Sequence, residues 1–199
     1  MKPETTMDEN SILVQLKTRT AHQHQATEAT VNLMRDDYTL DDYKKLLIKF
    51  YSFYKPFEAK MSESLTANSV EFNHNERLNT PKLTADLKNL GMSDTDISNI
   101  KLCENLPNLD SKERIFGSLY VIEGSTLGGQ VISRHLKGKF DIDQTTGAAF
   151  FSGYGQETGK MWNGYREAVT NFAETANHDE IVAGANETFE KIGECLVKM

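Results

Sequence analysis

Two patterns in this sequence place chemically useful residues at a defined spacing, and the first is the pair His24 and Glu28. Residues four apart lie on the same face of a helix, so their side chains can meet. An imidazole that binds a metal usually gives its second ring N–H to a carboxylate, a carbonyl or water, and Glu28 is placed to supply a carboxylate. An ordinary surface contact on a helix explains the same spacing. His22 is the rival ligand, but it lies about 200° around the helix from His24, so only one of the two can face a ligand.

The second pattern is a group of glycines, Gly124, Gly128 and Gly129, inside a stretch that otherwise predicts one helix from Ser111 to about Leu136. Each glycine inside a helix costs roughly 0.5 to 1 kcal/mol relative to alanine, so three of them need a compensating reason. A flat ligand pressed against the helix supplies one, because only residues without a Cβ let the main chain come into contact with it. Close packing against another helix is the alternative.

Taken together and in this order, the two patterns resemble the heme oxygenase family. The proximal helix of that family is similar to the segment Leu16-Lys17-x-x-Thr20-x-x-x-His24-x-x-x-Glu28. The distal helix is similar to Gly124-x-x-x-Gly128-Gly129-Gln130. The longer stretch 117–130, with 150–155 and 159–162 downstream, resembles the bacterial branch associated with phytochromes.

The resemblance implies an all-α fold of many helices in a single domain over 1–199, with heme held between the proximal and distal helices and 1–10 as an unstructured N-terminus. Heme would be both substrate and cofactor, opened with O2 and reducing electrons to biliverdin, carbon monoxide and ferrous iron. The electrons would come from an external donor such as a ferredoxin or a reductase. A bacteriophytochrome could accept the biliverdin. A heme carrier or sensor with the same fold but no turnover is the alternative function.

The family motifs also imply roles for particular residues. His24 would bind the heme iron, and Glu28 would steady its ring. The catalytic set would be Gly124, Ser125 and Gly128, and the heme-binding set would be Lys17, His24, Glu28, Tyr120, Gly124, Gly128 and Gly129. Lys17 would meet a heme propionate, whereas Ala21 stands where the family has a second lysine. Ser125 stands where many members have an aspartate, and a hydroxyl is a far weaker acid.

The elements that must position these residues are predicted to be helices. Start signals and apolar periodicity predict helices over about 11–34, 39–65, 81–90, 93–100, 111–136, 156–176 and 179–197. Thr39 followed by Asp42 predicts a capping box, and Pro56 predicts a kink in the helix that follows. No convincing strand alternation occurs. The sequence therefore predicts about six to eight helices.

Composition bounds the class of protein. The chain has 199 residues, 38% of them hydrophobic, and a net charge of -7. Its mean hydropathy is -0.52. These values predict a single cytoplasmic domain with no membrane span, and the absence of basic clusters argues against nucleic acid as a partner. Cys103 and Cys195 lack CxxC spacing and are expected to be buried thiols. A di-iron helical protein would need paired Glu-x-x-His motifs, and only Glu71 and His74 fit that spacing.

Overall fold

The computed structural model describes residues 10–198, and within them the regular structure is helical with no strand. Nine α-helices follow in order: α1 Ile12–Arg19, α2 Ala21–Val31, α3 Leu40–Ala67, α4 Thr80–Asn89, α5 Asp94–Ser98, α6 Lys112–Phe140, α7 Ala149–Ser152, α8 Thr158–Ala173 and α9 His178–Lys198. Short 3-10 turns at Asn75–Arg77 and Gly155–Glu157 come before α4 and α8. The predicted all-α class is confirmed.

Several helices begin at the capping residues that the sequence indicates. The Thr39 side chain accepts a hydrogen bond from the Asp42 backbone N–H, and the Asp42 carboxylate accepts from the Thr39 N–H, which completes a capping box at α3. Ser93 and Asp96 form the same arrangement at α5. Ser111 caps α6. These bonds satisfy backbone donors that the first turn of a helix leaves free.

The first predicted helix is divided in two. Thr20 has φ -110° and ψ 1° and separates α1 from α2, so the continuous helix expected over 11–34 is wrong. The Thr20 hydroxyl donates to the Leu16 carbonyl at 2.7 Å. The second predicted helix is α3 of the structure, and it continues through Pro56 to Ala67.

Helix α9 is the support on which the proximal and distal segments rest. It packs against α6, α2, α3 and α1. The crossing of α6 and α9 is close because both helices carry glycine there. A Cβ on Gly117 would collide with the Ile181 carbonyl oxygen, and a Cβ on Gly184 would lie 2.7 Å from the Arg114 carbonyl oxygen.

A disulfide joins the two cysteines, so the expectation of two buried thiols is wrong. Cys103 lies in the connection before α6 and Cys195 lies in α9, 92 positions later, with their Cα atoms 6.2 Å apart. That separation is within the range that a disulfide spans without backbone movement. Sequence spacing could not show the pairing, because the fold brings the two positions together.

Residues 1–9 and 199 lie outside the described range, and so does nearly all of the expected unstructured segment 1–10. Asn10, the last residue of that segment, is exposed. Among the helices of 10–198, none combines the length and the apolar character that crossing a membrane requires.

Candidate functional site

His24 lies on α2 with its side chain largely open to solvent. Helix α2 buries none of its residues, and the His24 side chain is 54% exposed. Its Nε2 lies 3.7 Å from Glu28 Oε1, close enough for an ion pair and too long for a hydrogen bond. Phe189 of α9 packs edge-on against the imidazole, with ring centroids 5.6 Å apart. Phe189 therefore supports one side of the imidazole, and the rest of the ring is accessible to a ligand.

The other histidines lie in different settings. His22 is exposed on α2. His74 is buried, with 7% of it exposed, and burial lowers its pKa. It lies with Glu71 in the connection between α3 and α4, so these two residues do not form the helical Glu-x-x-His motif of a di-iron site.

The three glycines of the second pattern have different surroundings. A Cβ on Gly128 would meet no atom within 4 Å, and a Cβ on Gly124 would meet only the edge of the Trp162 ring, at 3.8 Å. A Cβ on Gly129 would lie 2.6 Å from the Phe151 carbonyl oxygen in α7. Gly129 therefore has a packing role of its own, whereas Gly128 faces open space and Gly124 leaves room for a Cβ in ordinary contact with Trp162.

Exposed apolar side chains accompany those two glycines on α6. Leu127 is 43% exposed and Val131 is 52% exposed. Leu127 lies three residues after Gly124, and Val131 lies three residues after Gly128, so all four share one side of the helix. We call this side the open face of α6. An apolar strip without a bulky centre suits a flat, apolar ligand.

An aromatic group borders the open face at its N-terminal end. The Tyr120 side chain interacts with Thr20, which lies between α1 and α2, one turn before His24. Burial raises the pKa of Tyr120, and the Thr20 side chain lowers it. Trp162 lies beside Tyr120, with ring centroids 6.0 Å apart. The distal helix is thus linked directly to the segment that carries His24.

Ser125 is part of a pair of hydroxyls. Its Oγ donates to the Ile122 carbonyl at 2.7 Å. Ser125 also interacts with the side chain of Tyr54 from α3. Burial raises the pKa of Tyr54. Both groups are therefore neutral at physiological pH.

Lys17 is a cation that could meet an anionic group of a ligand without breaking an ion pair seen in residues 10–198. It is exposed, and within residues 10–198 it takes part in no ion pair. Two other cations near the predicted site have partners already: Arg19 lies 2.7 Å from Asp179, and Lys160 lies 2.9 Å from Glu157.

A buried ion pair behind the open face was not anticipated. Glu123 is 1% exposed and bonds to Arg77 of the 3-10 turn, and Tyr154 donates to it at 3.1 Å. Burial raises the pKa of Glu123, and the Arg77 guanidinium lowers it. The available signal was a single carboxylate directly after the apolar run 119–122 of a long helix and directly before Gly124.

Comparison with known proteins identifies the family and the fold of the chain. A family model described as heme oxygenase matches residues 10–196. The NO- and CO-bound heme oxygenase of Neisseria meningitidis superimposes with a TM-score of 0.77 and 22% identity, covering 95% of this chain and 92% of that one. For the heme oxygenase of Leptospira interrogans the TM-score is 0.68 at 18% identity, over 95% and 100% of the two chains. Heme oxygenase 2 of Chlamydomonas reinhardtii, solved without heme, gives 0.70 at 16% identity, over 94% and 97%. No curated protein matches the sequence.

Proposed function

Because the chain belongs to the heme oxygenase family, we propose that it opens heme oxidatively, using O2 and external electrons, to biliverdin, carbon monoxide and ferrous iron. The reaction would take place in a single domain that spans 1–199. Bound heme would supply both the iron that takes O2 and the ring carbon that is oxidised.

The open face of α6 is the observation that carries this proposal. Gly124 and Gly128 leave backbone accessible there, and Leu127 and Val131 present aliphatic surface that water covers poorly. A porphyrin is flat, apolar across its faces and anionic at one edge. The residues present fit that shape and chemistry, since an accessible imidazole, an apolar strip and a lysine without an ion pair in the described range are all available.

Each predicted site residue has a place in this proposal. His24 would bind the iron through a ring nitrogen, while Glu28 and Phe189 would restrict the orientation of the imidazole. Lys17 would pair with a propionate, and Tyr120 would border the ring. On the distal side, the backbone at Gly124 and Gly128 would contact the ligand, with Ser125 supplying a hydroxyl and Gly129 lying beside them.

The finer features of the reaction belong to the same proposal. We expect a separate ferredoxin or reductase to deliver the electrons, and we expect the reaction to occur in the cytoplasm. The likeness of 117–130 to phytochrome-associated sequences favours a bacteriophytochrome as the acceptor of biliverdin.

One observation favours a second candidate, a heme carrier or sensor without turnover. The Ser125 hydroxyl gives its proton to the Ile122 carbonyl, so it is engaged with its own helix. A serine in this state is a poor source of protons for oxygen chemistry. A carrier of this kind would bind heme through His24 but would not open the heme ring.

The experiment that tests the proposal uses hemin and the purified chain. Hemin should produce a Soret band, and addition of a reductant under O2 should convert that band to biliverdin absorbance. Soret absorbance without biliverdin would favour the carrier, and no Soret band would reject both functions. His24→Ala should weaken hemin binding or abolish turnover, because it removes the proposed ligand.

His22→Ala is the matched control for the ligand. The two histidines lie on the same exposed helix, two residues apart, so both substitutions remove an exposed imidazole. We expect His22→Ala to keep the spectrum and the rate of the native protein. If His22→Ala loses the spectrum and His24→Ala keeps it, the assignment of the ligand is wrong.

A further inference from the structure

Trp162 of α8 lies against the helix backbone at Gly124. Two carbons of its ring are 3.8 Å from the position that a Cβ on Gly124 would occupy. Its other side stacks on Tyr165, with centroids 5.3 Å apart and planes 23° apart. Tyr165 is fully buried, and its hydroxyl donates to the Phe116 carbonyl at 3.0 Å. Trp162 therefore forms a wall at one end of the open face.

The buried ion pair of Arg77 and Glu123 connects the chain beside Gly124 with the chain beside Trp162. Arg77 Nη1 donates both to Glu123 Oε2 and, at 3.2 Å, to the Met161 carbonyl. Glu123 comes directly before Gly124, and Met161 comes directly before Trp162. The Arg77 guanidinium thus connects Glu123 with Met161. The residues that follow these two, Gly124 and Trp162, lie against each other.

The rest of the environment of Arg77 holds it in this bridging position. Its guanidinium carbon lies 4.5 Å from the centre of the Phe72 ring, and Nη2 would be 3.5 Å from a Cβ on Gly164. Removing two charges from water is expensive, and a well-packed apolar pair is often at least as stable. A buried pair is consequently of most use where the direction of its hydrogen bonds matters.

We propose that Glu123 is a positioning residue that, through Arg77, holds Trp162 against Gly124 and so sets the boundary of the open face. It acts through other side chains and does not touch the ligand. The positioning of Trp162 is a property of the protein without heme, whereas its consequence for heme rests on the proposed function.

Trp162 is the one tryptophan of the chain, so its fluorescence reports on this contact in the protein without ligand. Glu123→Gln preserves the size of the side chain and removes its charge. We expect the emission maximum of this variant to shift to longer wavelength and acrylamide to quench it more strongly, because Trp162 moves away from Gly124 into water. Thr188→Val is the control, since it removes a different buried hydrogen bond, from Thr188 to Ser118 on α6, at 2.7 Å. The control should leave the emission of Trp162 unchanged.

Tyr154→Phe gives a second, milder test that deletes one hydroxyl from the environment of Glu123. It should produce a smaller shift in the same direction and keep the fold even if Glu123→Gln does not fold. Native emission and quenching in folded Glu123→Gln, or in Tyr154→Phe where Glu123→Gln fails to fold, would overturn the proposal. A shift of the same size in Thr188→Val would also overturn it, since general loosening of α6 would then be the cause.

Hemin titration adds a readout for the ligand. If Trp162 borders the heme, Glu123→Gln should weaken hemin binding by about tenfold, the effect expected when one charge-assisted hydrogen bond that orders a binding wall is lost. Hemin binding of native strength in a variant whose Trp162 has moved would overturn the step from positioning to the heme boundary. If the native protein does not bind hemin at all, the proposed function fails, and the fluorescence comparison still decides the role of Glu123.

Discussion

Two glycines of α6, Gly117 and Gly128, serve opposite purposes. In the first half, Gly117 lets the backbone of α9 approach so closely that any side chain would collide with it. In the second half, Gly128 has no neighbour within 4 Å of its Cβ position. The sequence presents both as glycines inside one helix, at the same cost in helix propensity. Only the neighbouring elements show whether a missing Cβ makes room for the fold or leaves room for a ligand.

Gly117→Ala should give the largest effect on stability. The new methyl group would meet the Ile181 carbonyl, which belongs to a helix backbone and cannot move alone, so α6 and α9 must separate. We expect a loss of roughly 3 kcal/mol or more in the free energy of unfolding, the upper range for an overpacked core. Urea denaturation measures it. A Gly117→Ala protein as stable as the native one would show that this crossing is looser than the structure indicates.

The stability gained where α7 packs on Gly129 of α6 should depend on pH through Asp86. This buried carboxylate accepts the backbone N–H groups of Ala149 and Phe150 and so holds α7, the helix that packs on Gly129. Burial raises the pKa of Asp86 from 3.8 to about 6, although the two N–H groups lower it.

The folded protein therefore binds this proton more tightly than the unfolded chain does, and Asp86 favours folding most at low pH. As pH rises from about 4 to about 7, its ionisation should reduce stability by up to about 3 kcal/mol. Asp86→Asn should remove this component, so the difference in urea stability between the two proteins should change with pH over that range. A constant difference would mean that the carboxyl titrates normally in the folded protein.

Local chemistry predicted the elements of this fold, and distant contacts decided what the sequence could not show. Thr39, Ser93 and Ser111 start helices through bonds to residues three positions away, and such bonds can be read from spacing. The break at Thr20 was missed: its hydroxyl bonds to the Leu16 carbonyl, and its side chain also interacts with Tyr120, a hundred residues later. Similarly, the sequence located the glycines of the candidate site but could not separate Gly129 from its neighbour.

Gly129→Ala should therefore behave like a packing mutation although it lies in the predicted heme motif. Its Cβ would press on the Phe151 carbonyl, which belongs to the short helix α7 and can shift more easily than α9. We expect a loss of about 2 kcal/mol, within the usual range for overpacking. Thermal or urea denaturation without heme measures it, and a gain in stability would place Gly129 with the open glycines.

Gly128→Ala should have the smallest effect and the opposite sign. Nothing opposes a methyl group there, so the protein without heme should become more stable by about 0.5 to 1 kcal/mol, the propensity difference between the two residues in a helix. Hemin binding or turnover should nevertheless decline, and more severely in Gly128→Leu, because the new side chain occupies the open face. A gain in stability together with a loss of ligand binding would show that position 128 is glycine because the ligand needs the space. If both variants bind and open heme as the native protein does, the backbone at Gly128 does not contact the ligand.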